Sequence, residues 1–280
     1  MTIDHAHEAP ASAPEISYGL GGGLLRPLYR LYERRLVSQI TGKPVPRHVG
    51  IILDGNRREA QRWGITDPAE IYRAGADRLD AVLEWCSALA IPAVTLWVCS
   101  TDNLGRVKDE VDGIFAAIES KLRRLAEDPQ IHHRRVRVSA IGRLELLPSS
   151  TLEAIRAAEA ATAKYTGLRL TIAVAYGGRS EITDAVRSLL LERADQGATL
   201  TEVAEAITPD AIGGHLYLTG LPDPDLIIRT SGEIRLSGFL LSQSAYSEFY
   251  FCDLNWPAFR RVDFLRAIRS FQERQRRHGL

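Results

Sequence analysis

Cysteine is scarce in this chain of 280 residues. The three present, Cys86, Cys99 and Cys252, lie in apolar contexts without metal-ligand spacing. A disulfide framework and a zinc site are excluded, and reduced core thiols in a cytoplasmic protein are expected. Charge of one sign is also lacking: 35 basic and 35 acidic residues leave a formal net charge of zero. No global field favours nucleic acid or an acidic membrane, so nucleic acid is not an expected partner and any phosphate binding must be local. No run approaches the roughly 18 apolar residues of a membrane span. No basic segment leads into an apolar core at the N-terminus, so a secretory signal is not expected either. Gly-x-Gly-x-x-Gly and Gly-Lys-Ser/Thr signatures are missing, which argues against a nucleotide-binding module.

What is present starts with a tail. Residues 1–17 are rich in Ala, Pro, His and Glu, and 19–23 are almost all glycine, so 1–23 reads as a disordered tail ending in a hinge. Residues 24–45 read as an amphipathic helix and linker, with Leu24, Leu25, Leu28, Leu31, Leu36 and Ile40 at helical spacing and arginines on the other face. The favoured reading packs this helix on the body of the protein; weak peripheral contact with a membrane surface is the alternative. From 46 to 280 apolar strands alternate with helices. Strands are expected at 49–53, 93–99, 136–141, 168–175, 226–229 and 249–251, and helices at 69–89, 108–128, 149–165, 180–196 and 200–206. Short apolar strands with helical crossovers predict one α/β domain, with a mostly parallel central sheet of about six strands covered on both faces.

In such sheets ligands gather at the carboxyl ends of the strands. Four polar motifs follow strand ends here. Asp54-Gly55-Asn56-Arg57-Arg58 follows the first, with a helix expected next, so free N–H groups and two arginines form an anion site. A carboxylate in such a site repels phosphates unless a cation intervenes, and Mg²⁺ held by one carboxylate plus substrate phosphates resolves the conflict. Asp54 as a simple helix cap is the alternative. Ser100 to Arg106 follows the second strand, Tyr176-Gly177-Gly178-Arg179 the fourth, and Arg229 to Ser237 the fifth. In the last, Arg229 and Arg235 offer bidentate forks and Ser237 a further donor to a phosphate.

With these motifs in family order, residues 46–279 resemble the cis-prenyltransferases, enzymes like undecaprenyl diphosphate synthase. Asp-Gly-Asn-x-Arg, Ser-Thr-x-Asn-x-x-Arg, Tyr-Gly-Gly-Arg and Arg-Thr-x-Gly-Glu-x-Arg-x-Ser are all present, followed by Gln243 to Glu248, Trp256-Pro257 and a terminal Arg277-His278-Gly279. The resemblance implies a homodimer with a hydrophobic tunnel, condensing isopentenyl diphosphate with an allylic diphosphate to form a new Z double bond. It implies that Asp54 positions Mg²⁺ and the leaving diphosphate, with Glu248 as a second metal residue. Gly55, Asn56, Arg57, Arg58 and Arg106 would hold the allylic diphosphate, and Asn103 would assist near the reacting carbons. Arg229, Arg235 and Ser237 would grip isopentenyl diphosphate, and 277–279 would reach into the partner's site.

The chain departs from that pattern where aromatics are common. Glu59, Leu104 and Ser242 stand in their places, Asp102 replaces a Glu, Tyr72 a His, and Asp67 falls where longer-chain members often carry Arg. Glu59 is expected to face solvent or join the metal shell, with Trp63 one turn on replacing the lost aromatic surface. Leu79, Val82, Leu83 and Leu89 are expected to form the tunnel wall, and Leu83 and Trp85 to cap it early, giving a product near C15. Irregular coupling or cyclisation of a prenyl diphosphate, and a non-catalytic partner subunit, are the alternative readings; the intact Asp54 and arginines count against the subunit.

Overall fold

The structure, a computed structural model, describes the backbone of residues 22–278 and the side chains of 27–274. The expected tail at 1–21 and the terminal Gly279 lie outside the described residues, as do the side chains of Arg277 and His278. Gly22 and Gly23, read from sequence as part of a hinge, are instead the first turn of a helix, α1 (Gly22–Ile40).

The order continues β1 (His48–Ile52), α2 (Asn56–Arg62), α3 (Pro68–Ala88), β2 (Ala93–Trp97), α4 (Lys108–Glu127), α5 (Pro129–His133), β3 (Arg137–Ile141), α6 (Ser149–Thr162), β4 (Arg169–Ala173), α7 (Gly178–Asp195), α8 (Leu200–Ala206), α9 (Pro209–Gly213), β5 (Leu226–Arg229), β6 (Glu248–Phe251) and α10 (Arg261–His278). All six strands pair in parallel, in the order β3-β4-β2-β1-β5-β6. The expected α/β domain is thus present. The sequence reading assigned no helix to α5, α9 or α10, although Val262, Leu265, Ile268 and Phe271 in α10 are buried at helical spacing.

Strand side chains alternate between two cores. Ile51, Leu96, Leu170, Ile172 and Ile228 join the larger cluster, which takes in α3, α4 and α6. Ile52, Ala173 and Ile227 join the smaller one around Tyr176 and Phe239. Burial on both faces is why the strands read as continuous apolar runs rather than alternating ones. α1 packs against α10: Gln272 donates to the carbonyls of Ile40 and Pro44, and Arg266 lies 5.1 Å from the ring of Tyr32. Its outer end leaves Leu28 and Leu31 exposed. The chain runs from β1 to β2 on one side and returns later to place β5 on the other. The β1/β5 boundary is therefore the switch point of the sheet, where α/β sheets open a crevice.

Candidate active site

Asp54 stands at that switch point. The turn after β1 needs Gly55 at φ +96°. Gly55 N–H donates to Asp54 Oδ1 at 2.7 Å, and Arg229, the last residue of β5, donates to Oδ2 at 2.8 Å. Partial burial works to raise the Asp54 pKa, but the hydrogen bond and charge of Arg229 and the Gly55 N–H outweigh it and hold the carboxyl below the usual carboxylate value. Asp54 is not a helix cap: the N-cap of α2 is Gly55, and no side chain caps it. Thr230 Oγ1 accepts from Asp54 N–H and donates to Asp54 O, so the ends of β1 and β5 are stitched together.

The other motifs join at the same edge. Arg229 also donates to Ser237 Oγ at 2.9 Å and to the carbonyl of Arg235, so one buried guanidinium bridges the first and last motifs. Arg58 reaches across to the Ser231 carbonyl at 3.1 Å and to Glu233 at 2.9 Å; Glu233 also pairs with Arg235. Ser100 bridges Tyr176 in parallel fashion, tying the second motif to the third. Gly178 N–H donates to Gly238 O at 3.0 Å, and a Cβ on Gly178 would lie 2.3 Å from that oxygen. The Tyr-Gly-Gly-Arg motif is therefore a seat for the Arg229–Ser237 loop. That loop carries positive φ at Ser231 (78°) and Ser237 (52°) and at Gly232 and Gly238. Beneath it, fully buried Glu181 accepts from the Tyr176 hydroxyl, from Tyr217 N–H and from Gln243.

Arg57 and Arg106 converge on a residue that the sequence reading missed. Glu110 accepts from Arg106 at 2.6 Å, from the Tyr72 hydroxyl at 2.6 Å and from Arg57 at 3.4 Å. Burial pushes the Glu110 pKa up, but Tyr72 and the two arginines bring it below the ordinary value; the Tyr72 phenol is pushed well up by its own burial and by Glu110. The one signal available was spacing: Glu110 lies four residues after Arg106. Asn103 sits in a 3-10 turn, Thr101–Gly105, where it and Ser100 cap each other. Its Oδ1 accepts Ser100 N–H at 2.9 Å, so the amide oxygen serves the loop. Asn56 donates to Leu53 O at 2.9 Å, and Gly75 leaves room for it: a Cβ there would come within 2.2 Å of Asn56 Oδ1.

Behind these groups an apolar cavity opens between the sheet (Leu53, Leu96, Val98, Ile172) and helices α3 and α4. It is lined from α3 by Tyr72, Gly75, Ala76 and Leu79 and from α4 by Ile114, Ala117, Ile118 and Lys121. Of the expected wall, Leu79 lines it; Val82 and Leu83 are core residues and do not. Trp85 lies against Phe259 and Phe264, ring centroids 6.1 and 5.8 Å away, and does not line it either. On α3 the lining positions 72, 75, 76 and 79 share one face; Leu83 lies one turn past the last of them, and Trp85 falls on another side of the helix.

Glu248 is also elsewhere. It opens β6, pairs with Leu226, and so stands level with Val49. Asp54 is five residues further along the strand direction, about 16 Å away at the usual rise per residue. Glu248 pairs with Arg274 at 2.8 Å instead. One chain does not bring the two carboxylates into a common metal shell. Glu59 overturns its expectation too: it is buried, and accepts from Asn255 at 2.8 Å and Arg62 at 3.3 Å. Asn255 in turn packs over Gly55. Of the other replaced positions, Leu104 packs on the core and Ser242 is exposed; Trp63, expected to replace the lost aromatic surface, is half-buried at the end of α2. Cys86, Cys99 and Cys252 are buried and free, as expected.

The family model described as "Putative undecaprenyl diphosphate synthase" matches residues 52–279. The chain is 55% identical over 258 residues to a protein of Thermobifida fusca (strain YX) named (2Z,6E)-farnesyl diphosphate synthase, covering 92% of this chain and 99% of that one. It is 50% identical over 255 residues to a protein of Methanopyrus kandleri named tritrans,polycis-undecaprenyl-diphosphate synthase (geranylgeranyl-diphosphate specific), covering 91% and 92%. Among solved structures it resembles lavandulyl diphosphate synthase from Lavandula x intermedia in complex with dimethylallyl diphosphate, with a TM-score of 0.73 and 34% identity, covering 81% of this chain and 95% of that one.

Proposed function

The chain belongs to the undecaprenyl diphosphate synthase family of prenyltransferases, and within it we propose a short-chain enzyme that condenses isopentenyl diphosphate with a short allylic diphosphate into a Z-configured product near C15, the class named by its 55%-identical relative. The observation that carries this reading is the junction of Asp54, Arg58, Arg106 and Arg229 at the polar end of an apolar cavity.

Arg57, Arg58 and Arg106 are the groups for the allylic diphosphate; Arg229, Arg235 and Ser237 are those for isopentenyl diphosphate. Their present carboxylate partners, Glu110 and Glu233, hold the guanidiniums in place before substrate arrives. The allylic C–O bond breaks with its electron pair on the diphosphate. The isopentenyl double bond supplies the pair for the new C–C bond, and the proton then lost passes to a diphosphate oxygen. Preorganised guanidiniums stabilise charge as it develops on the leaving group. The apolar wall keeps water from the allylic cation.

Asp54 fits Mg²⁺. Its carboxylate is charged and about one-third exposed, and no group of three or more His, Cys, Asp or Glu gathers among the described residues. That suits a cation held by one carboxylate and substrate phosphates, whose chemistry is to neutralise the leaving diphosphate. A metal role for Glu248 requires a second copy of the chain. A homodimer is supported by β6: it is an edge strand, partly exposed throughout, with Phe249 and Phe251 stacked upon it. We place the enzyme in the cytoplasm; no described helix is long and apolar enough to cross a membrane.

The test is a product assay with isopentenyl diphosphate, Mg²⁺ and C5, C10 or C15 allylic primers, read by mass spectrometry. Products lengthened by C5 steps, lost with EDTA or in Asp54→Ala, are expected. A folded protein that elongates no primer overturns the reading. A C10 product from dimethylallyl diphosphate alone, the compound bound in the lavender protein's structure, replaces it with irregular coupling.

A further inference from the structure

The cavity wall contains one charged side chain that the diphosphate chemistry does not use. Lys121 is only 5% exposed, yet it lines the cavity beside Leu79, Ala117 and Ile118. Its Nζ is bonded to Asp80 on α3. Asp80 is shared with Arg124 at 3.3 Å, and Arg124 also holds Asp77 at 2.6 Å. The ammonium is thus drawn to the half-exposed edge of the α3–α4 seam, while its four-carbon stem faces the cavity. Burial disfavours the charged form of Lys121 and Asp80 opposes that, which is what a charge held at a dry boundary experiences.

Position gives this residue a role. Tyr72 and Glu110 mark the diphosphate end of the cavity. Along α4 the lining runs through Ile114, Ala117 and Ile118 and ends at Lys121; Leu122 and Leu125 in the next turn are core residues that do not line it. Along α3 it ends at Leu79, next to Asp80. The lining advances seven residues along α4, from Ile114 to Lys121, and seven along α3, from Tyr72 to Leu79, a rise of about 10 Å on each helix. Three bonds of an extended chain span about 3.5 Å, so the four bonds of an isoprene unit span about 4.5 Å. Two such units span the lined length, so growth beyond it meets the lysine stem.

We propose that the stem of Lys121, fixed by Asp80, is the floor of the cavity and limits how far the chain grows. This rests on the prenyl-transfer reading above and assigns what limits its product length. Lengthening the product requires moving a side chain whose far end is tied into an ion-pair network, a firmer stop than a free apolar rotamer. Asp80 keeps Arg124 when Lys121 is removed, so the substitution leaves no isolated carboxylate.

The experiment compares wild type with Lys121→Ala and Lys121→Met in the full chain, measuring total isopentenyl incorporation and product length by mass spectrometry. Lys121→Ala removes the stem, and its main product is expected to grow by at least one C5 unit. Lys121→Met refills nearly the same volume and is expected to keep the wild-type length. An active Lys121→Ala with unchanged products overturns the proposal, as does a Lys121→Met whose products lengthen as far as those of Lys121→Ala. Should Lys121→Ala lose its cooperative melt, Lys121→Val takes its place under the same criterion. Wild type that incorporates nothing defeats the prenyl-transfer reading instead, so the two failures are distinct.

Discussion

Glu59→Ala removes a carboxylate that is 6% exposed on the helix carrying Arg57 and Arg58. Its Oε2 is the acceptor for the amide of Asn255, itself 4% exposed, and Asn255 lies so close over Gly55 that a Cβ there would come within 2.3 Å of its Oδ1. The carboxylate therefore pins the residue that roofs the turn proposed to hold the allylic diphosphate. Leaving the Asn255 amide buried without an acceptor costs about 1–3 kcal/mol. The pair with Arg62, which is 70% exposed, adds only a few tenths. Removing a buried charge returns part of its desolvation cost, so the net expectation is a loss of about 2 kcal/mol. For 280 residues, an unfolding entropy near 0.6 kcal/mol/K converts this to a fall in Tm of about 3–4 °C. With its roof loosened, Gly55 samples other conformations, so KM for the allylic diphosphate should rise more than kcat falls. Thermal and urea unfolding of Glu59→Ala, Asn255→Ala and the double variant, with initial rates on each, make the assay. A coupling energy of about 1–3 kcal/mol between the two positions is expected. Melting at or above the wild-type temperature, or strictly additive losses, would refute the reasoning.

Two further outcomes follow from the site. Gly178→Ala places a methyl 2.3 Å from the Gly238 carbonyl and 2.8 Å from Leu241 Cβ; this overpacking costs about 1–3 kcal/mol. It shifts the Arg229–Ser237 loop and lowers kcat/KM for isopentenyl diphosphate by up to about 100-fold, with little change in KM for the primer, as steady-state kinetics on each substrate will show. For Asp54, whose folded pKa is lowered by Arg229 against the effect of burial, the stabilisation is full above the unfolded value of about 3.9 and is lost as pH falls through the lower folded value. The urea-measured stability difference between wild type and Asp54→Asn should be flat from about pH 8 to 5 and vanish only below about pH 4; a difference that changes near neutrality would contradict the assignment.

What was legible in the chain follows from what decides it locally. The six strands are short apolar runs buried on both faces, so each declared itself, and the polar motifs that follow them could only meet at the carboxyl edge. Asp54, Arg58, Arg229 and Ser237 were therefore visible as a set. Glu110 was not, because a glutamate in the first turn of an amphipathic helix looks like any solvated or dipole-stabilising residue until Arg57, Tyr72 and Arg106 are seen to point at it. Glu59 was misjudged because sequence shows a charge beside arginines but not the side on which it falls; Asn255, 196 residues away, supplies its partner. Glu248 was placed with Asp54 by family resemblance alone, and strand register sets it at the opposite end of the sheet.

Product length belongs to a different part of the molecule from product chemistry. The chain is 55% identical over 258 residues to a protein named for a farnesyl product and 50% identical over 255 residues to one named for an undecaprenyl product. Identity over the whole chain includes the residues proposed above to hold diphosphates, which both outcomes need. The groups around Asp54 are mutually tied: Arg229 to Asp54 and Ser237, Arg58 to Glu233, Arg106 to Glu110. Changing one disturbs the rest, so the head of the site is free to vary little while chemistry is retained. The far end of the cavity carries no such demand. One side chain there, set on α4 beyond Ile118 and held by Asp80, changes how much hydrocarbon fits without touching a phosphate ligand.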